Sequence, residues 1–227
     1  TTSTITAELL RAQGYTVHLG GNIGTPLFDR IADIRPDDFA VLELSSFQLH
    51  SMHCAPDVAI ITNISPNHLD VHPDFEDYVS AKCSIYRGQR PDGVLVLNAR
   101  DAHTPRFAAE APGSVRYFSS VGPVENGVYC SDGVIYRAHG GKAEKLIDVS
   151  DIRIPGAHNV ENYMAAFAAT DGLVGQAACV QVARSFAGVP HRMERIRELN
   201  GITFINDSIA SSPTRTIAGL HALPKSP

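Results

Sequence analysis

The chain has 227 residues, 44% of them hydrophobic, and a formal charge of −5 at pH 7. That length and composition suffice to bury a sizeable core in one or two domains. The acidic balance, without any basic block, argues against a nucleic-acid partner, and no apolar run reaches the ~20 residues of a membrane helix.

Thr1-Thr2-Ser3-Thr4 runs directly into an amphipathic segment, ITAELLRAQG, read as a helix over about residues 2–13 with Gly14 as its C′ residue. There is no initiator Met and no signal peptide, and the chain stops at LPKSP. We therefore expect part of a larger protein. Strand YTVHL leads into the glycine-rich turn GGNIGTP, then a short helix over about residues 27–34 and the strand FAVLEL. SSFQLHSM alternates polar and apolar residues and reads as a further strand. DVAIIT and GVLVLN are continuous apolar runs, as in strands buried on both faces. Between them Phe75–Tyr86 carries a helical apolar face, and a short helix is expected at 104–110.

The texture changes after residue 113. VRYFSS, GVYCSD, GVIYRAHG and AEKLIDVS are short and alternating, and SDG at 131–133 is a hairpin signal. They predict an antiparallel β section at one side of a parallel sheet. Helices are expected over about 159–171, capped by Asn159, and 177–186. GVPHRME reads as a linker, followed by strands MERIREL and ITFIND and a helix with Pro213 near its N1 position. The expected fold is thus α/β: a P-loop-type, mostly parallel sheet flanked by helices, with a small antiparallel section, then the start of a second α/β, Rossmann-like domain. The boundary is placed at 190/191. The four cysteines (Cys54, Cys83, Cys130, Cys179) lack any C-x-x-C pair and read as free thiols in a reducing cytoplasm.

Segment 41–87 carries most of the chemistry. Glu43 closes one apolar run; Asn63, Asn67, His68 and Asp70 follow the next; Lys82 lies on the helix after. Ligands and metals bind at such strand ends in open parallel sheets. A carboxylate at the tip of a buried strand is uncommon unless paired or bound to a cation, so Glu43 is read as a ligand for a hard metal such as magnesium, against simple exposure at the strand end. His68, a less usual magnesium ligand, acts either on the metal or on a substrate oxygen. Lys82 is either a solvated surface lysine or, from the face it shares with Phe75, Tyr78, Val79, Ile85 and Tyr86, a partly buried one. Burial disfavours its charged form, and a neutral amine can take up carbon dioxide as a carbamate. Elsewhere, Thr1-Thr2 at a helix start is either ordinary capping or the hydroxyl end of a P-loop. Asn22 in the glycine turn can donate and accept. Asn159 and Asn162 share a helix face, and Arg192, at the linker, suits phosphate.

Taken in order, LELSSFQL, NISPNHLDVH, YVSAKCSIYR, IPGAHNVENYMAA, GVPHRMER and INDSIAS closely resemble the Mur ligase family of ATP-dependent amide-forming enzymes. Within it, ELSSFQL and NDS look most like members that add D-glutamate to UDP-N-acetylmuramoyl-L-alanine in peptidoglycan synthesis; sister ligases for other amino acids are the alternative. The resemblance implies a central ATPase domain over 1–190, without its first strand and P-loop Gly/Lys, and the beginning of an amino-acid-binding domain over 191–227. It implies ATP and two magnesium sites, with Thr1, Glu43, His68 and carbamylated Lys82 on metal. It places Thr1, Thr2, Asn162, Arg192 and Asp207 on ATP, and Asn22, Ser45 and Ser46 on the muramoyl-alanine substrate. It further implies a cytoplasmic monomer, with neither membrane nor nucleic-acid partners. As this chain alone, a binding module without turnover is expected. One departure stands out: Ile209 occupies the place where the family's NDSKAT pattern has lysine, and Arg215, six residues on, is a candidate to compensate.

Overall fold

The computed structural model describes residues 1–23, 26–65, 72–210 and 213–223. In chain order the elements are α1 (Thr2–Ala12), β1 (Val17–Gly21), a 3₁₀ turn (Phe28–Asp33), β2 (Phe39–Glu43), α2 (Ser46–Ser51), β3 (Val58–Ile61), α3 (Phe75–Arg87), β4 (Val94–Asn98) and α4 (Thr104–Glu110). There follow β5 (Ser114–Ser119), β6 (Gly127–Ser131), β7 (Val134–His139), β8 (Lys142–Asp148), a 3₁₀ turn (Val149–Asp151), α5 (Ala157–Ala169), α6 (Gln176–Ser185), β9 (Glu194–Leu199), β10 (Ile202–Asn206) and α7 (Pro213–Ala222).

The central layer is a six-stranded sheet in the order β3-β4-β5-β6-β7-β8. Strand β4 shows how it is covered. Leu95 and Leu97 pack among Tyr78, Val79, Cys83, Tyr86 and Phe107 of α3 and α4. Val96 points the other way, among residues of α1, α5 and α6. An apolar run with no polar alternation is what a strand covered on both faces requires. Helix α5 is the hub of the second face: Tyr163, Met164, Ala165, Ala166, Phe167 and Ala168 are all fully buried. Its alanines allow close approach of neighbouring elements, while Phe167 and Tyr163 fill the space between them.

Four details differ from the sequence expectation. SSFQLHSM is helical. Ser45 and Gln48 form a reciprocal capping box, and one satisfied helix start outweighs a short alternation that buries only Ser46 and Leu49. VRYFSS is a parallel strand, with β3, β4, β5 and β6 parallel and only β6-β7-β8 antiparallel. Its alternation reflects Arg116, whose guanidinium donates to the carbonyls of Ala168 and Asp171 beyond the sheet. The cap of α5 is Gly156; the Asn159 side chain instead donates to the Pro155 carbonyl at 2.6 Å. Finally, β1 and β2 pair in parallel with each other, with no hydrogen bonds to the six-stranded sheet among the described residues.

The hairpin signal at 131–133 is met: Asp132 and Gly133 both have positive φ, 50° and 74°, the geometry of a two-residue turn between twisted strands. Gly14 follows α1 at φ 103° as expected. After α6, β9 and β10 form an antiparallel pair and α7 begins at Pro213.

Candidate functional site

The site forms where α1 begins, β2 ends and α3 and α5 pass. Parallel pairing puts Gly21 opposite Glu43 at the end of β1-β2. Gly21 has φ +97°, and a Cβ there would lie 2.2 Å from the Glu43 carbonyl oxygen. Only glycine lets the two backbones pass so closely. The Asn22 N–H then donates to the same carbonyl at 2.6 Å. The end of β2 is thereby fixed from one side.

Glu43 reaches the start of α1. Ser3 Oγ donates to Glu43 Oε2 at 3.3 Å, and the Thr1 nitrogen lies 4.0 Å from the same oxygen. The Thr1 side chain is 4% exposed, and its Oγ1 is buried with no hydrogen-bond partner among the described residues. An unmet buried hydroxyl is costly, and one beside a carboxylate is a ready oxygen donor for a cation. Thr2 Oγ1 donates to Asn162 Oδ1 at 2.7 Å, and Asn162 Nδ2 donates to Asn159 Oδ1 at 3.2 Å. The start of α1 is thus tied to α5.

Lys82 is half-buried on α3. Burial pushes its amine below the ordinary lysine value, and the Glu43 carboxylate, the smaller influence, pulls it back up. The two groups therefore share one electrostatic environment. Nζ also lies 5.9 Å from the centre of the Tyr78 ring, a cation–π distance. Of the two sequence readings of Lys82, solvated or partly buried, the structure shows the second.

Arg192 approaches from the linker. Its Nε is buried and has no hydrogen-bond partner among the described residues, and it lies near the start of α1. Its charge acts on His158: burial, foremost, pushes the imidazole below its usual value, Arg192 adds to this, and Asp207 and Glu161 oppose it. Asp207 accepts a hydrogen bond from the Met193 N–H at 3.1 Å, which holds the start of β9 to the end of β10.

Thr1, Thr2, Glu43, Lys82, Asn162, Arg192 and Asp207 therefore gather around one region. The remaining expected residues behave differently. Asn22 is exposed. The Ser45 hydroxyl is engaged in capping, donating to Gln48 Oε1 at 3.0 Å. Ser46 is 2% exposed and its Oγ lies 3.0 Å from His72 Nε2. His68 and Arg215 cannot be set beside them: His68 falls outside the described residues and the Arg215 side chain is likewise not described. Ser3 and His72 were not singled out from sequence. Nothing local marks Ser3, and His72 meets Ser46 across 26 residues.

Among the described residues no three His, Cys, Asp or Glu side chains cluster as a metal site. Magnesium does not need such a cage: it is held by one or two carboxylates together with substrate phosphates and water. The oxygen donors present, Thr1 Oγ1 and the Glu43 carboxylate, fit that pattern.

Residues 1–170 match the Mur ligase middle domain. The chain is 51% identical over 222 residues, 98% of its length, to the UDP-N-acetylmuramoylalanine--D-glutamate ligase of Acetivibrio thermocellus, covering 48% of that protein. It is 48% identical over 225 residues to the ligase of the same name from Clostridium botulinum strain Alaska E43, again covering 48% of it. The chain thus spans about half the length of the curated relatives it matches. Among solved structures, a pseudomurein peptide ligase type C from Methanothermus fervidus gives a TM-score of 0.69 at 19% identity, over 99% of this chain and 54% of that one. A MurF ligase from Thermotoga maritima in complex with ADP gives 0.66 at 21% identity, over 97% and 54%. At those identities the likeness is one of fold.

Proposed function

This chain belongs to the Mur ligase family, and on that premise we propose that it is the ATP-handling part of a ligase joining D-glutamate to UDP-N-acetylmuramoyl-L-alanine. The observation that carries the reading is the buried Thr1 hydroxyl, without a hydrogen-bond partner among the described residues, at the start of the helix whose Ser3 Oγ meets Glu43, the carboxylate that also acts on Lys82. The amino-acid specificity rests on the relatives' printed names at about half identity over nearly the whole chain.

In this reading the substrate carboxylate attacks the γ-phosphorus of ATP to give an acyl phosphate, and the D-glutamate amine then displaces phosphate. Both reactants of the first step are anions, so it needs positive charge held in place. Magnesium, when bound, supplies that charge and screens the phosphates. Thr1 Oγ1 and Glu43 are its protein donors, joined by His68 and by Lys82 as a carbamate, whose formation needs the neutral amine that burial favours. Asn162 and Thr2 hold the nucleotide side of the site. Arg192 would contact ATP from the hinge and Asp207 from the following domain, and Arg192 swinging in on domain closure would make the hinge part of catalysis. Asn22 and Ser45 line the approach of the muramoyl-alanine end, while Ser46, also expected there, is buried against His72 and supports the segment from behind.

The domain reading belongs to the same proposal. Residues 1–190 form a central domain and 191–227 the start of another, and a further strand lying between β2 and β3 accounts for the absence of hydrogen bonds joining β1-β2 to the larger sheet. ATP and a UDP-sugar as substrates suit a cytoplasmic enzyme, which we take to be a monomer; none of the described helices is long and apolar enough to cross a membrane.

Phosphate release by the full-length protein tests the function. It should require ATP, magnesium, UDP-N-acetylmuramoyl-L-alanine and D-glutamate together. Release supported by another amino acid and not by D-glutamate would assign a sister ligase instead.

A further inference from the structure

We infer that His72 is a positioning residue that fastens the segment carrying Glu43 to the helix carrying Lys82. This rests on the metal-and-ATP reading above and extends it to a residue that touches neither ligand. The ring is 5% exposed. Its Nε2 lies 3.0 Å from Ser46 Oγ, three residues after Glu43, and its Nδ1 lies 2.7 Å from Asp77 Oδ2, five residues before Lys82. Phe47 stacks on it with centroids 5.5 Å apart, and Tyr78 meets it edge-on at 5.4 Å. Tyr78 is the ring that Lys82 Nζ faces. One imidazole therefore touches α2, α3 and the aromatic contact of the lysine. A second, longer contact, His50 Nε2 to Asp77 Oδ1 at 3.4 Å, joins the same two helices.

The proton order follows from the carboxylate. The His72 hydrogen bond, foremost, holds the Asp77 carboxyl below its ordinary value, so at neutral pH Asp77 is ionised and accepts the Nδ1 proton. Nδ1 is thereby committed to Asp77, which leaves Nε2 facing the Ser46 hydroxyl. The order Ser-His-Asp matches that of a hydrolytic triad, but a nucleophile must meet its substrate, and Ser46 is 2% exposed. The geometry suits a clamp. Residues hydrogen-bonded to a metal's own ligands typically change metal affinity about 10–100-fold when lost; His72 stands one contact further back, through Ser46 and Asp77, so the low end of that range applies.

The test uses the full-length protein, with manganese(II) as a magnesium substitute visible by electron paramagnetic resonance and a non-hydrolysable ATP analogue present. His72→Phe keeps a flat ring between Phe47 and Tyr78 and removes both nitrogens. Its manganese affinity should fall about tenfold with a melting temperature near that of the parent. His72→Gln, which restores one hydrogen bond, should recover part of the loss. Ser46→Ala should weaken manganese binding less, and adding it to His72→Phe should cause no further loss. Parent-like manganese affinity in folded His72→Phe overturns the inference and leaves the metal reading standing. Should that variant fail to fold, parent-like affinity in Ser46→Ala does the same. A parent protein that binds no manganese with the ATP analogue defeats the metal reading, and the inference with it.

Discussion

The Thr2 hydroxyl donates to Asn162 Oδ1 at 2.7 Å across 160 residues of chain. Through Asn159 the contact continues to the Pro155 carbonyl, so the first turn of α1 and the first turns of α5 share one polar chain. Asn162→Ala should cost about 1 kcal/mol of stability, the net worth of a hydrogen bond, or a few degrees of melting temperature in a domain of this size. On the proposed ATP role it should also raise the KM for ATP in the full-length enzyme by about tenfold, the effect of roughly 1.4 kcal/mol in binding. A melting shift with an unaltered KM would leave Asn162 a structural residue only.

Gly21 offers a sharper separation of strain from contact. Gly21→Ala adds a left-handed non-glycine residue, costing about 1–3 kcal/mol, and a Cβ 2.2 Å from the Glu43 carbonyl oxygen. Gly14→Ala adds comparable strain at φ +103° with nothing within 4 Å. Both variants should lose stability in urea, Gly21→Ala more. Only Gly21→Ala should raise the magnesium concentration needed for half-maximal activity, because only it displaces the end of β2.

Lys82→Ala in the full-length protein should abolish most activity, and short carboxylates such as formate or acetate should restore part of it by standing in for the carbamate oxygens. Because burial lowers the amine's pKa, carbamylation in the parent should increase with bicarbonate at mildly alkaline pH. Carbon-13-labelled bicarbonate followed by NMR would report it. Full activity in Lys82→Ala would remove the lysine from the mechanism.

The acid limb of stability should trace in part to Asp38. Its Oδ2 lies 2.8 Å from His18 Nε2 and accepts from the Arg35 N–H at 3.0 Å. These bonds, His18 first, hold the carboxyl below its ordinary value. A folded-state value below the unfolded one stabilises fully above the unfolded value, about 4, and the benefit disappears as pH falls through the folded value. Asp38→Asn should therefore flatten the loss of stability below about pH 4, measured by urea unfolding at stepped pH.

Much of this was readable in the sequence because the signals were local. Glu43 ends an apolar run, and Lys82 sits on a helix face with Tyr78 and Tyr86. Asp132-Gly133 forms the one turn its strands allow. What escaped notice depends on partners far along the chain or on short elements. α2 is six residues long and is held by a cap that a period-two pattern conceals. Arg116 looks like a solvent position of β5 until α5 is in place to receive it. His72 acquires meaning only when Ser46 and Asp77 arrive on either side.

The change of direction at β6 bears on how the molecule assembles. From β6 to β8 the strands are joined by tight turns and pair with their immediate successors, whereas β3 must wait for α3 before it can meet β4. Loop closure favours the nearby pairings first. The meander is thus the natural starting surface, and α5, which follows it directly, is the first helix with something to lie against. The end of the fold built from residues 1–3, 43, 82 and 162 should then be completed last, when both halves of the chain have returned to the same place.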